Sequence, residues 1–321
     1  MHNINIKHIF SELYLQKGGN VMKKNKTMIV CFITPAIVTF VLMYLYPVIR
    51  TVLMSFFKVE KVTAGLDEWS FNGLDNYISL FSTEAFLISM SNLLKIWIVG
   101  GVVVLSLSLL FAVILTSGVR GKNFFRAVIY LPNVISAVAL ASMWIQFIFN
   151  NRFGLIHSIG ESLGIRSIER LNMLSSDNKF WAMLIAFCFG AVGYYMLIFL
   201  SGIERIPSDI YEAATLDGAT KPKQFTLITL PLLKGVFKTN LTFWSVHTIS
   251  FYVWSQMFSP VDTEASTIVP VQYMMNIVFG SKSGSERDAG KGAAIGVTLA
   301  LMVVLVFFLF NKLIKEEEVE Y

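Results

Sequence analysis

The sequence predicts an all-α integral membrane bundle of six transmembrane spans, and three observations carry that reading. Apolar residues make up 55% of the 321 positions and charged residues only 15%, against about 25% charged in a soluble domain. Mean hydropathy is +0.63. Six apolar stretches approach or exceed the roughly 20 helical residues that a bilayer core requires: residues 28–49, 93–115, 127–149, 180–200, 236–258 and 293–310.

The first stretch is too long for a secretory signal and lacks a small-residue cleavage site behind a short apolar core. Lys23, Lys24 and Lys26 precede it, which favours a cytoplasmic N-terminus. Lys and Arg are otherwise nearly balanced between the two sides. Lys17-Gly18-Gly19 shortly before Met22 reads as a translated ribosome-binding site, giving Met22 as the expected start. The segments expected are therefore a cytoplasmic 1–27, a permease body over 28–314 and a cytoplasmic tail at 315–321. An even number of spans returns both termini to one side. Lys95 and Lys238 are the only full charges within the six stretches. Both lie near a span end, where a long side chain snorkels.

Between the fourth and fifth stretches lies a polar loop, 201–234. Ser208 or Asp209 is placed to cap a helix, with Glu212 at capping-box distance from Asp209. Ile210, Ala213 and Ala214 give that helix an apolar face. Gly218 fits the position after a helix end, where a left-handed backbone is used. A second short helix is expected from Thr220, with Pro222 tolerated in its first turn. Pro231 marks the entry to the fifth span. The loop reads as a compact docking surface.

Glu212-Ala213-Ala214, then Gly218, then Ile228-Thr229-Leu230-Pro231 matches the EAA motif, and the loop resembles the cytoplasmic loop of bacterial ABC importer permeases. Asp217-Gly218-Ala219-Thr220 belongs to the same match. Phe71-Asn72-Gly73-Leu74-Asp75-Asn76-Tyr77, Phe124-Phe125-Arg126 with Tyr130-Leu131-Pro132, and Gly292-Ala293-Ala294 resemble elements of the maltose and multiple-sugar branch. The resemblance implies type I importer permease architecture in a bacterial plasma membrane. It makes residues 208–217 a coupling helix seated on an ATPase subunit, with Glu212, Ala213, Ala214, Asp217, Gly218, Ile228, Leu230 and Pro231 as coupling residues. It also implies the partners: a second homologous permease, two cytoplasmic ATPase subunits, an external substrate-binding protein and a sugar.

For the substrate path the fifth stretch is the informative one. Asn240, Trp244, His247, Phe251 and Trp254 fall in a helical stripe about 80° wide. Aromatic faces suit sugar rings, and Asn or His suits hydroxyls. The competing reading is a face for helix packing. Asn92 and Gln146, near span ends, are weaker candidates.

Several chemistries are not written in the chain. No phosphate-binding loop is present, so ATP is expected to be used by the partner ATPase and no cofactor by this chain. Two cysteines, Cys31 and Cys188, lie in apolar runs, and four histidines are scattered without metal-ligand spacing. A net charge of +5 without a dense basic stretch does not point to nucleic acid. No catalytic constellation stands out, so the chain is not read as an enzyme. A secondary transporter is the other class considered, and the absence of Asp and Glu from all six stretches argues against ion coupling. The absence of a basic cluster in the spans favours a neutral sugar over a glycerol phosphoester.

Overall fold

A computed structural model describes residues 26–261, 263–280 and 287–314. The expected start at Met22, the segment before it and the 315–321 tail lie outside the described residues. The chain divides into two compact units, one up to Leu53 and one from Met54.

The described part of the first unit is helix α1 (Met28–Met54), whose last residue opens the second unit. A π-helical turn at Val41–Leu45 interrupts its α-helical pattern.

The second unit begins with a two-stranded antiparallel ribbon, β1 (Phe57–Lys58) and β2 (Ser70–Phe71), with Phe57 opposite Phe71. Short helix α2 (Asp75–Phe81) follows. Asn76 is buried at its start and donates through Nδ2 to the Ser55 and Phe57 carbonyls, each at 2.9 Å. Tyr77 Oη donates to Ser55 Oγ at 2.8 Å. The 71–77 motif thus clasps the ribbon.

Three long helices form the frame: α3 (Glu84–Thr116), α8 (Lys179–Ile203) and α14 (Ala289–Leu313). Helix α8 runs through the main core, where Phe187, Tyr195, Met196 and Phe199 are almost wholly buried. It packs most extensively on α3, and Ser108 Oγ donates to the Val192 carbonyl across that contact at 2.8 Å. A second cluster joins Phe86 and Leu93 of α3 to Ile295 and Leu299 of α14. With α1, these make four helices among the described residues that are long and apolar enough to cross a membrane, or five if the bent helix pair Lys122–Val134 and Ala137–Ile148 counts as one span. Lys95 sits over the Phe180 ring at 5.7 Å.

The other two expected spans are broken. Residues 127–149 become α4 (Lys122–Val134) and α5 (Ala137–Ile148), bent by 98°. Pro132 removes a helix donor near the end of α4, Ile135 is extended, and Ser136 caps α5 through the Ala139 N–H. Gly193 lets α8 meet the end of α4: a Cβ there would lie 2.5 Å from the Ile129 carbonyl oxygen. Residues 236–258 become α11 (Lys234–Ile249) and α12 (Tyr252–Phe258), with Phe251 outside the helical region at ψ 53°.

Between these lie α6 (Leu155–Leu163), α7 (Arg166–Glu169), α9 (Ser208–Leu216) and α10, residues 221–232. The last is built from Lys221–Gln224, a π turn at Phe225–Thr229 and Leu230–Leu232. Helix α13 (Pro270–Phe279) precedes α14.

Candidate functional site: the α9 loop and the α11 face

Helix α9 starts at Ser208 with Pro207 in the cap position and no side-chain cap. The capping expected of Ser208 or Asp209 therefore does not occur. Pro207 already supplies the extended backbone, and Ser208 Oγ instead points at Asp209 Oδ1, 3.3 Å away. Glu212 is exposed and makes no hydrogen bond or ion pair among the described residues.

The end of α9 is closed by Gly218 at φ +77°. Gly218 N–H donates to the Thr215 carbonyl at 3.0 Å and Ala219 N–H to the Ala214 carbonyl at 2.8 Å. That pair of bonds is the Schellman closure, available cheaply only where the left-handed residue lacks a Cβ. Thr220 takes the cap position of the next helix.

A residue not singled out from sequence then ties the two helices together. Gln224 is 3% exposed, and its Nε2 lies 2.8 Å from Thr215 Oγ1, 3.2 Å from the Ala219 carbonyl and 3.4 Å from the Tyr211 carbonyl. Tyr211 Oη and Thr229 Oγ1 are 2.8 Å apart. So α9 and α10 form one polar-latched unit, continuous through Ile206 with α8 and through buried Leu233 with α11.

The outer surface of this unit carries Glu212, Ala213, Asp217 and Pro231, all exposed, with Ala214 and Ile228 half-buried and Leu230 38% exposed. Leu216 is 89% and Leu227 72% exposed. They escaped the sequence reading because a lone Leu in a short helix looks like core.

The five α11-face residues are brought partly together. Trp244, His247, Phe251 and Trp254 surround the Phe187 ring at centroid distances of 5.6, 5.3, 4.7 and 5.8 Å. The single helical stripe is not kept, because the helix breaks at Ser250–Phe251. Trp244, Phe251 and Trp254 are buried in the chain's own core, and Trp244 Nε1 donates to the Trp97 carbonyl at 2.8 Å. Asn240 is fully buried, and its amide finds no hydrogen-bond partner among the described residues. His247 is exposed, with Nδ1 3.3 Å from Tyr195 Oη. Beside it, Tyr194 and Phe243 present exposed rings. A cleft of about 610 Å³ opens where α8 meets the start of α11, lined by Tyr130, Tyr194, Ser201, Arg205 and Thr239. Of the weaker candidates, Asn92 is structural, donating to the Ala265 and Ile268 carbonyls at 2.9 and 3.0 Å. Gln146 is exposed. No cluster of three metal-ligating side chains occurs among the described residues.

A membrane-spanning helical frame carrying a latched EAA loop defines a permease. Residues 105–316 match the family described as binding-protein-dependent transport system inner membrane component, and the chain belongs to that family. It is the multi-pass inner-membrane permease of an ABC importer, a subunit that leaves ATP hydrolysis to a separate one. It is 30% identical over 282 residues to the arabinooligosaccharides transport system permease protein AraP of Halalkalibacterium halodurans, covering 85% of this chain and 83% of that one. It is 28% identical to the probable starch degradation products transport system permease protein AmyD of Thermoanaerobacterium thermosulfurigenes, covering 90% and 94%. In fold it matches a chain of the crystal structure of a bacterial ABC transporter involved in the import of the acidic polysaccharide alginate. The TM-score is 0.76 at 19% identity, covering 91% and 97%.

Proposed function

We propose that this permease carries a neutral sugar or oligosaccharide inward and forms half of the translocation path, opposite a second homologous permease. In this reading the chain crosses the membrane six times, with α4–α5 and α11–α12 as broken spans and both termini in the cytoplasm. The substrates named for those relatives, arabinooligosaccharides and starch degradation products, support a sugar. The open Tyr194–Phe243–His247 face and the hydroxyl-bearing cleft offer ring stacking and hydroxyl partners. Asn240, Trp244, Phe251 and Trp254 serve as the packed layer behind that face.

The observation that carries the mechanism is the Schellman-closed, Gln224-latched α9–α10 unit joined at both ends to long helices. Seated in a groove on one of the two ATPase subunits, with Leu216 as apolar anchor and Glu212 as charged contact, such a unit transmits ATPase closure to α8 and α11 as a rigid lever. Two conformations are then biased by differential contacts at the loop.

Glu212→Gln tests the docking. With no partner among the described residues, Glu212 has little to contribute to α9 itself, whereas removing one charge of a desolvated interfacial ion pair costs about 2–5 kcal/mol. Pull-down of the ATPase by the Glu212→Gln permease is expected to fall sharply relative to wild type. Wild-type retention is expected to weaken at high salt. Identical retention by both at low and high salt would remove the ion pair from the account.

A further inference from the structure

A second charged surface lies far along the chain from the EAA loop. The β1 ribbon and the start of α14 enclose a cleft of about 480 Å³ lined by Lys58, Lys61, Arg287 and Lys291, against the two carboxylates Glu60 and Asp288. Asp288 is already engaged: its Oδ1 accepts the Lys291 N–H at 2.8 Å and its Oδ2 lies 3.8 Å from Lys291 Nζ. The surplus is therefore positive, and Lys58, Lys61 and Arg287 are exposed.

The framework under these cations is well tied. Ala289 and Gly290 N–H both donate to the Val59 carbonyl, at 2.7 and 3.1 Å. Asn76 fixes the Ser55 and Phe57 carbonyls on the other side. Val59, Ala64, Ala289 and Ala293 pack beneath. Such fixation is more than a solvated charge run requires. It fixes the backbone from which these exposed cations project, and clustered charges of one sign suit a complementary interface.

In the six-span reading with the EAA loop in the cytoplasm, the segments after α1 and before α14 both lie outside, and this cleft with them. The family is binding-protein-dependent, so a protein must deliver substrate to that face. We propose that the Lys58–Lys61–Arg287–Lys291 cleft is a docking surface for an acidic rim on the substrate-binding protein, and that it steers the encounter. The proposal rests on the importer reading above. Charges at an interface rim act chiefly on association rate and on its salt dependence.

The test uses the permease–ATPase complex in phosphatidylcholine vesicles, titrated with the importer's own binding protein loaded with its oligosaccharide. ATP turnover is followed at ionic strengths of about 0.01 M and 1 M, where the Debye length falls from about 30 Å to about 3 Å. The double variant Lys58→Glu with Lys61→Glu is expected to raise the half-maximal binding-protein concentration about tenfold at low ionic strength. Turnover at saturation should be retained, and the difference should vanish at high ionic strength. Lys58→Arg with Lys61→Arg should behave as wild type, which separates charge from folding. An unchanged half-maximal concentration in a stimulated complex overturns the docking surface alone. So does a shift that persists at high ionic strength. A wild-type complex that the loaded binding protein does not stimulate overturns the importer reading together with it.

Discussion

At Gly218 the backbone adopts φ +77°, a conformation that costs an L-residue about 1–2 kcal/mol and is an outlier for a β-branched one. Nothing lies within 4 Å of a Cβ placed there, so the penalty of Gly218→Val is conformational rather than steric. The variant is expected to insert in the membrane at wild-type levels while its ATP-driven uptake collapses. Wild-type uptake by Gly218→Val would show that the closure of α9 does not transmit motion. This conformation was legible in the sequence, because a glycine just beyond a short amphipathic helix has few other uses. The N-terminal cap was not. Ser208 and Asp209 are the right residue types, but the extended Pro207 starts the helix one residue earlier. Glu212 was read from the sequence as a contact residue, and the structure leaves its carboxylate exposed.

At the scale of elements, the α9–α10 unit depends on a buried amide. Gln224→Leu keeps the volume but leaves Thr215 Oγ1 and the Ala219 carbonyl without that donor, a loss of about 0.5–1.5 kcal/mol per hydrogen bond. Spin-label distances between α9 and α10 are expected to broaden, and more ATP should be spent per sugar imported. An unbroadened distance with unchanged coupling would show that the latch is dispensable. Gln224 was illegible because its partners exist only after the Schellman turn has folded; in the sequence it is one polar residue in a polar loop. The long helices α1, α3, α8 and α14 were legible because length and hydropathy suffice for them. Helix continuity is a different property. Pro132 marked the break between α4 and α5, whereas neither Gly nor Pro announces the one at Ser250–Phe251. The stripe read from the sequence is therefore not continued past that break, and its members Asn240 and Trp244 before it are buried.

For the whole molecule, the core around Phe187 separates packing from transport. Trp254 is 7% exposed, and truncating a buried Trp costs about 3–5 kcal/mol. Trp254→Ala is thus expected to lower assembly with the partner permease and sugar uptake in proportion. His247→Ala, on the open face, should lower uptake while assembly holds. If Trp254→Ala lowers uptake alone, or His247→Ala lowers both together, the path and its supporting layer have been exchanged. The most direct measurement of the central claim is uptake of a labelled oligosaccharide into proteoliposomes holding this permease, its partner and the ATPase. Uptake is expected to require ATP and the loaded binding protein together, and to disappear with Gly218→Val while the ATPase remains bound. Accumulation without ATP, driven by a proton or sodium gradient, would contradict the account.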